Sequence, residues 1–514
     1  PVCAPTRASL LTGRYHPRTG VDGVTRTKET MRSEEITIAE ILNAAGYTTG
    51  CFGKWHNGAH YPHHPNGQGF DDFFGFCAGH WNNYFDTHLE WNGRRVETEG
   101  YITDVLTDGA VEFIRANQDR PFLCYVPYNA PHSPWQVPGV FYEKYKNKGL
   151  DNKTACAYAM CENVDYNVGR LLDTLDRYNL AEDTIVLFLT DNGPNSDRYN
   201  GNMRGRKGSS HEGGIRVPLF VRWPGKIQAG KVIPQIASHI DLLPTLVSLC
   251  GIPMLETKPL DGIDLSPLLQ GEVNEWKDRM IFTTWGRRGS VRTQRWRAYT
   301  QNNRWELYDM AADPDESDNV ADKHPQVLKR LSRAYEKWYQ EATKAGFDPI
   351  PTHIGHPEMR VVTLPGHEAY LQPGAEKGIS YVGRSGWAND YITAWIDTDA
   401  YPLWEVNIVE EGNYNIELMY SCPKEDVGSK IRVEIGEAHV DGTVNMPHEP
   451  PFLPSPDRVP RKEVYEKEWR TLKLGTTHLK KGKTQLKVKA LTKPGNQVME
   501  LKAVKVETAR GYNK

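Results

Sequence analysis

Cys3 and Arg7 open the chemistry of this chain, within the run Pro1-Val2-Cys3-Ala4-Pro5-Thr6-Arg7-Ala8-Ser9-Leu10-Leu11-Thr12-Gly13. Pro5 suits a first helical turn and Gly13 the left-handed residue that ends one, so the run predicts a short helix. Cys3 then lies at a helix N-terminus, where free N–H groups and the positive end of the dipole attract anions. Arg7 follows one turn later on the same side, a permanently charged fork suited to an oxyanion. Each residue alone has a plainer reading, a small buried apolar cysteine and a solvated arginine. Together they describe a reactive sulfur beside an anion cradle.

Further candidates come at the ends of predicted strands. Lys54 and His56 follow a strand over 47–52 and share one side if the extended path continues. His132 lies in Asn129-Ala130-Pro131-His132-Ser133-Pro134, after the apolar run 121–127, which reads as a buried parallel strand. Ligands of open α/β sheets bind beyond the carboxyl ends of the strands, which suits a functional His132. Asp191 and Asn192 follow a central strand over 184–189; they fit a hard divalent cation, although Asp-Asn-Gly alone is a turn signal. The glycine-rich loop 201–218 carries Arg204, Arg206, Lys207 and Arg216, without the order of a nucleotide P-loop. His60, His63 and His64 invite a zinc reading, but no acidic or Cys partner stands at ligand spacing. His80, Trp81 and Tyr84 lie in an aromatic stretch, 70–91, that is mostly core; their faces and amide neighbours also suit a sugar. His211 and Arg287 are further candidates for substrate contact.

The elements that must position these groups are legible as periodicity. Helices are expected over 34–46, 103–117, 155–178, 238–251 and 324–345, with short strands over 281–309. From 349 the pattern changes to short alternating strands, which imply a β-sandwich. The strongest hairpin signal there is Glu411-Gly412-Asn413, between Val406/Ile408 and Tyr414/Ile416/Leu418/Tyr420. The 514 residues carry a net charge of −3, with no basic excess to drive nucleic-acid binding. Mean hydropathy is −0.61, and no apolar run is long enough to span a bilayer. Eight cysteines in a chain of this length are not a disulfide framework.

Cys3 to Gly13 match the string Cys-x-Pro-Ser/Thr-Arg-x-x-x-Leu-Thr-Gly, and the chain resembles the type I sulfatases of the alkaline phosphatase-like superfamily. Gly46, Tyr47, Thr49, Gly53, Lys54 and His56, the Pro-His-x-Pro turn at His132, Asp191-Asn192, and Lys207 to Pro218 match further motifs in order. The resemblance implies a mixed α/β sheet between helices over 1–270, a small α+β subdomain over 271–348, and, with the alternation above, an all-β sandwich over 349–514. The sandwich loosely resembles a carbohydrate-binding module, and a structural cap is an equal reading.

The resemblance also implies sulfate-ester hydrolysis. Cys3 would be converted by a formylglycine-generating maturation enzyme and would supply the nucleophile. Arg7, Lys54 and Lys207 would bind sulfate, His56 would orient the nucleophile, and His132 would protonate the leaving group. Ca²⁺, or Mg²⁺, would be held by Asp191, Asn192 and the Cys3 position. The expected substrate is a sulfated saccharide, and the expected location periplasmic, secreted or lysosome-like. A phosphoester or phosphonate hydrolase and an inactive sugar-binding protein are the alternatives. The sequence begins without Met, inside the motif. With this start, the resemblance implies that a strand bearing two neighbouring carboxylates precedes Pro1; the expectation is that any signal peptide lies there too, and that the metal set is incomplete, with a slot in the sheet.

Overall fold

The structure, a computed structural model, describes residues 1–509 apart from 197, 274 and 384. The first helix, Cys3–Thr12, ends at Gly13 in the left-handed conformation, φ 67°, whose N–H caps Ser9 O at 3.0 Å. It is buried on almost every side, so it behaves as a core element rather than an amphipathic surface helix. Helix Ile38–Ala44 starts in a capping box between Thr37 and Glu40.

A sheet then forms from β1 (Thr48–Lys54), β2 (Asp72–Phe76), β3 (His88–Trp91), β4 (Arg94–Glu97) and β5 (Phe122–Tyr125), in the order β4-β3-β2-β1-β5. β1 runs parallel to β2 and to β5, which brings their carboxyl ends to one edge. At that edge Gly53 pairs with Gly75; a Cβ on Gly75 would strike the Gly53 carbonyl, and Gly53 itself adopts φ 144° against Pro127. Only glycine permits this approach, and Lys54 follows immediately. Helices Ile102–Ala116 and Asn152–Arg177 pack together beside this sheet, the latter started by the Asp151 carboxylate accepting from Lys153 and Thr154 N–H.

β6 (Val186–Leu189) and β7 (Leu219–Arg222) form a separate antiparallel pair. Among the described residues β5 pairs only with β1, and β6 only with β7. A cavity of about 900 Å³ borders both strands, walled by apolar residues such as Leu123, Leu171, Leu187 and Phe188, with Cys3 and Asp191 also lining it.

β8 (Ile281–Trp285), β9 (Arg288–Arg292), β10 (Trp296–Gln301) and β11 (Arg304–Asp309) make an antiparallel sheet against helix Pro325–Ala342. On β10, buried Arg297 donates to Ser210 O at 3.0 Å, pairs with Glu212, and lies 3.3 Å from Glu316. It thereby ties the loop that carries Lys207 to this sheet.

From residue 352 onward two sheets face each other across one core. The hairpin expected at Glu411-Gly412-Asn413 is not one. Tyr401–Ile408 pairs with Gly482–Thr492 in one sheet, whereas Gly412–Ser421 pairs with Arg470–Leu479 and Glu500–Thr508 in the other. The turn is an arch between sheets. Val406, Ile408, Tyr414, Ile416 and Leu418 are all buried in the shared core, so the two apolar faces meet across the sandwich instead of lying side by side. Alternation specifies a buried face, not the partner in the ladder.

Arg297→Ala leaves Glu212 and Glu316 buried without their common cation. The expected cost is about 3–5 kcal/mol, seen as a lowered thermal unfolding midpoint, whereas substitution of exposed Arg95 leaves the midpoint in place.

Candidate active site

The carboxyl ends of β1, β5 and β6 meet the N-terminus of helix Cys3–Thr12. Cys3, 5% exposed, accepts a hydrogen bond from Lys207 Nζ at 3.2 Å. Arg7, one turn on, donates to Lys54 O at 2.7 Å and to Asp191 Oδ2 at 3.2 Å. Burial alone would raise the Cys3 thiol, but Lys207 and Lys54 outweigh it and hold the thiol well below its ordinary range. Burial would likewise raise Asp191, and Arg7, Lys54 and Lys207 instead hold it down as a carboxylate. Burial pushes Lys54 down to about 8, with Cys3 opposing the shift and Arg7 adding to it. Several cations thus share a dry site with one carboxylate and one sulfur, an arrangement ready for a tetrahedral oxyanion.

His56 reaches this site by a turn, not by continued strand geometry. β1 ends at Lys54, and His56 takes φ 67°. The extended path expected from the sequence therefore breaks between the two residues. His56 Nε2 lies 3.0 Å from Val24 O, which can only accept, so Nε2 carries the proton and Nδ1 is left as the acceptor facing Cys3. A Cβ on Gly79 would come within 2.6 Å of Nε2, so Gly79 gives the ring its room.

His132 is buried deep enough to be held neutral, with Lys207, Lys54 and His80 adding to that effect. Its Nδ1 donates to Ser133 O at 2.8 Å, which leaves Nε2 free for the cleft. His80 stacks on it, ring centroids 6.0 Å apart and planes 4° apart; burial pushes His80 down to about 3, and its Nε2 has no hydrogen-bond partner. Asn192 Oδ1 is also buried without a partner, beside Asp191.

Other candidates are spent elsewhere. Tyr84 is fully buried and donates to the carbonyls of His132 and Ser133, supporting that turn from behind rather than facing a substrate. Trp81 stacks on Phe76 and donates to Thr87. His211 pairs with Glu316 at 3.0 Å and stacks on Tyr299 at 3.7 Å, within the Arg297 network instead of the cleft. Arg287 is exposed at the β8–β9 turn, whose Arg288 donates to Gly208 O next to Lys207.

The histidine cluster behind β1 also differs from its sequence reading. Glu90 and Cys77, distant in the chain, come within ligand distance of His64, all ligand atoms lying within 4.8 Å. His64 Nδ1 accepts from Asn66 N–H, so Nε2 bears the proton and donates to Glu90 Oε1 at 2.6 Å. His60 and His63 bind the carbonyls of Thr363 and Met31. In this structure these rings act as hydrogen-bonding groups.

Sequence reasoning missed Tyr125, which burial pushes up to about 12 beside Arg7. It also missed Asn129, whose amide is buried and unpartnered at the cavity wall. Neither carries a local signal: one reads as a strand residue, the other as part of a turn.

Comparison with known proteins agrees with this geometry. The family model for sulfatases matches residues 1–252, and that for the N-sulphoglucosamine sulphohydrolase C-terminal region matches 206–341. The uncharacterized sulfatase YdeN of Escherichia coli is 34% identical over 52% of this chain and 53% of its own length, so the chain spans about half of that relative. The N-acetylgalactosamine-6-sulfatase of Canis lupus familiaris is 31% identical over 62% of this chain and 67% of its own. The crystal structure of Ps i-CgsB in complex with k-i-k-neocarrahexaose superposes with a TM-score of 0.64 at 31% identity, covering 68% of this chain and 84% of that one. With the Cys3 helix, the lysines and the histidines in one cleft, the chain belongs to the sulfatase family.

Proposed function

We propose that this protein hydrolyses a sulfate ester carried on a saccharide. The observation that carries the reading is the convergence of Arg7, Lys54 and Lys207 on Cys3 and Asp191 in one buried cleft. The match to an N-acetylgalactosamine-6-sulfatase and the likeness to a structure holding a hexaose favour a sugar as the carrier.

Cys3, at the helix N-terminus and against Lys207, suits conversion to formylglycine, which when present supplies a hydrated-aldehyde oxygen as nucleophile. For a divalent cation, Ca²⁺ in this reading, the residues present supply part of a site: the buried Asn192 Oδ1 lacks a partner and Asp191 is a firm carboxylate, and both would help to hold an ion that takes more oxygens than these two. It would supply charge neutralisation at the sulfuryl oxygens. Lys54, Lys207 and Arg7 bind those oxygens. His56 Nδ1 accepts a proton from the group at position 3. His132 delivers a proton to the departing alcohol; its charged form gains once a bound anion offsets Lys54 and Lys207, the cations that hold it neutral. His80 and the exposed Arg287 serve the sugar side. A formylglycine-generating enzyme is the required maturation partner, and a periplasmic, secreted or lysosome-like setting suits the substrate. No helix among the described residues is long and apolar enough to cross a membrane.

The reading is tested by comparing turnover of an aryl sulfate and an aryl phosphate, followed by a panel of sulfated mono- and oligosaccharides. Preference for the phosphate overturns it. Cys3→Ala should drop aryl-sulfate turnover to the uncatalysed background with an unchanged melting midpoint, and mass spectrometry should find aldehyde in place of thiol in the wild-type peptide that carries residue 3.

The lysines also set a pH dependence. Lys54 is cationic below about 8 and loses its charge as pH rises through that value. Affinity for inorganic sulfate should therefore be full below pH 8 and fall by up to about tenfold per unit above it. Isothermal titration across this range checks it; Lys54→Arg, charged throughout, should flatten the profile.

A further inference from the structure

The C-terminal sandwich reaches into the catalytic centre through the loop that holds His56. On the side away from Cys3, the His56 ring is bound by Val24 O. Val24 belongs to a loop in which Arg26 and Thr27 adopt φ of 58° and 59°. Such backbone persists only where its surroundings over-determine it. Here the sandwich region supplies them. Thr27 N–H donates to Glu368 Oε2 at 2.6 Å, Tyr370 OH donates to Arg26 O at 3.1 Å, and the Arg26 guanidinium donates to Ser385 O at 3.2 Å.

Glu368 is itself held in place. His367 Nε2 lies 3.2 Å from its Oε1, and the buried Glu29 carboxyl faces it. Burial and the Glu368 charge push Glu29 well up, making it the protonated partner. Burial would raise Glu368 too, but His367 and the Thr27 N–H keep it the anion. The same region braces the other side of the cleft: Asn389 Nδ2 donates to His80 O at 3.0 Å, and Ser133 Oγ, next to His132, donates to Glu463.

We infer that Glu368 is a positioning residue for His56: by binding the Thr27 amide it fixes the 24–29 loop, and through Val24 O it aims His56 Nδ1 at position 3. The sandwich is then a working wall of the active site and not a detachable sugar-binding appendage. The inference rests on the proposed function only for the statement that chemistry occurs at Cys3.

The test uses full-length Glu368→Ala and Glu368→Gln. Hydrogen exchange of the 24–29 amides and the NMR titration of the His56 ring are read beside kcat and KM on an aryl sulfate. In Glu368→Ala, exchange at Thr27 and its neighbours should speed up at least tenfold and the His56 resonances should move. kcat should fall about tenfold with KM unchanged. Glu368→Gln, which keeps an acceptor for Thr27, should restore most of each. Wild-type exchange and wild-type His56 resonances in Glu368→Ala overturn the inference. Should that variant not fold, Tyr370→Phe, which removes the hydroxyl that reaches Arg26 O and Thr27, is read by the same exchange experiment, and unchanged exchange there overturns the claim that the sandwich fixes this loop. A wild-type protein without sulfatase turnover defeats the proposed function, while exchange and the His56 titration still decide this inference.

Discussion

Arg7, Lys54 and Lys207 are held together in a largely buried site at a cavity wall, and that placement governs the rest of the structure. Cations in a low-dielectric setting repel one another and lose hydration. Asp191 and the Cys3 sulfur offset part of this, as the depressed Asp191 and Cys3 and the weakened Lys54 all register. What remains is an affinity for an anion. A sulfate ester would complete the charge balance that the folded chain leaves open, so that binding and chemistry would share one place.

Holding such a set requires rigid elements from every direction. The Cys3 helix is buried on nearly all sides, so its N-terminus cannot drift. β1 delivers Lys54 next to a Gly53–Gly75 contact that no larger residue permits. Lys207 sits on a glycine-rich loop, flexible by composition, that Arg297 and Arg288 pin to the antiparallel sheet. A buried arginine between carboxylates adds little net stability. Its value here is geometric, since it decides where that loop lies.

The histidines show a different solution. Neither His56 nor His132 is held by packing alone; each has one ring nitrogen committed to a backbone carbonyl, Val24 for His56 and Ser133 for His132, which sets the tautomer and leaves the other nitrogen to work. The carbonyls belong to loops, and those loops are gripped by residues hundreds of positions later in the chain.

What the sequence determined by itself is the set of groups at element ends. The Cys3 helix with its Gly13 stop, Lys54 after β1, His132 after β5, and Asp191-Asn192 after β6 were all legible, because reactive residue types there break an otherwise apolar pattern and match one family's motifs in order. The sandwich was legible too, since alternation of period two marks a one-sided strand. Tertiary structure decided what each group faces. Tyr84 and His211 look like ligands in a string of letters and prove to be supports, because their partners, the His132 turn and Glu316, are far away in sequence. His64 gained Glu90 and Cys77 in the same way. The arch at Gly412 went to the opposite sheet because a buried face can be satisfied across a core as well as beside it. Glu368 carries no motif at all. Local patterns record what a residue is and which way its face turns; the identity of its neighbour is a long-range contact, settled only when separate elements compete for the same buried space.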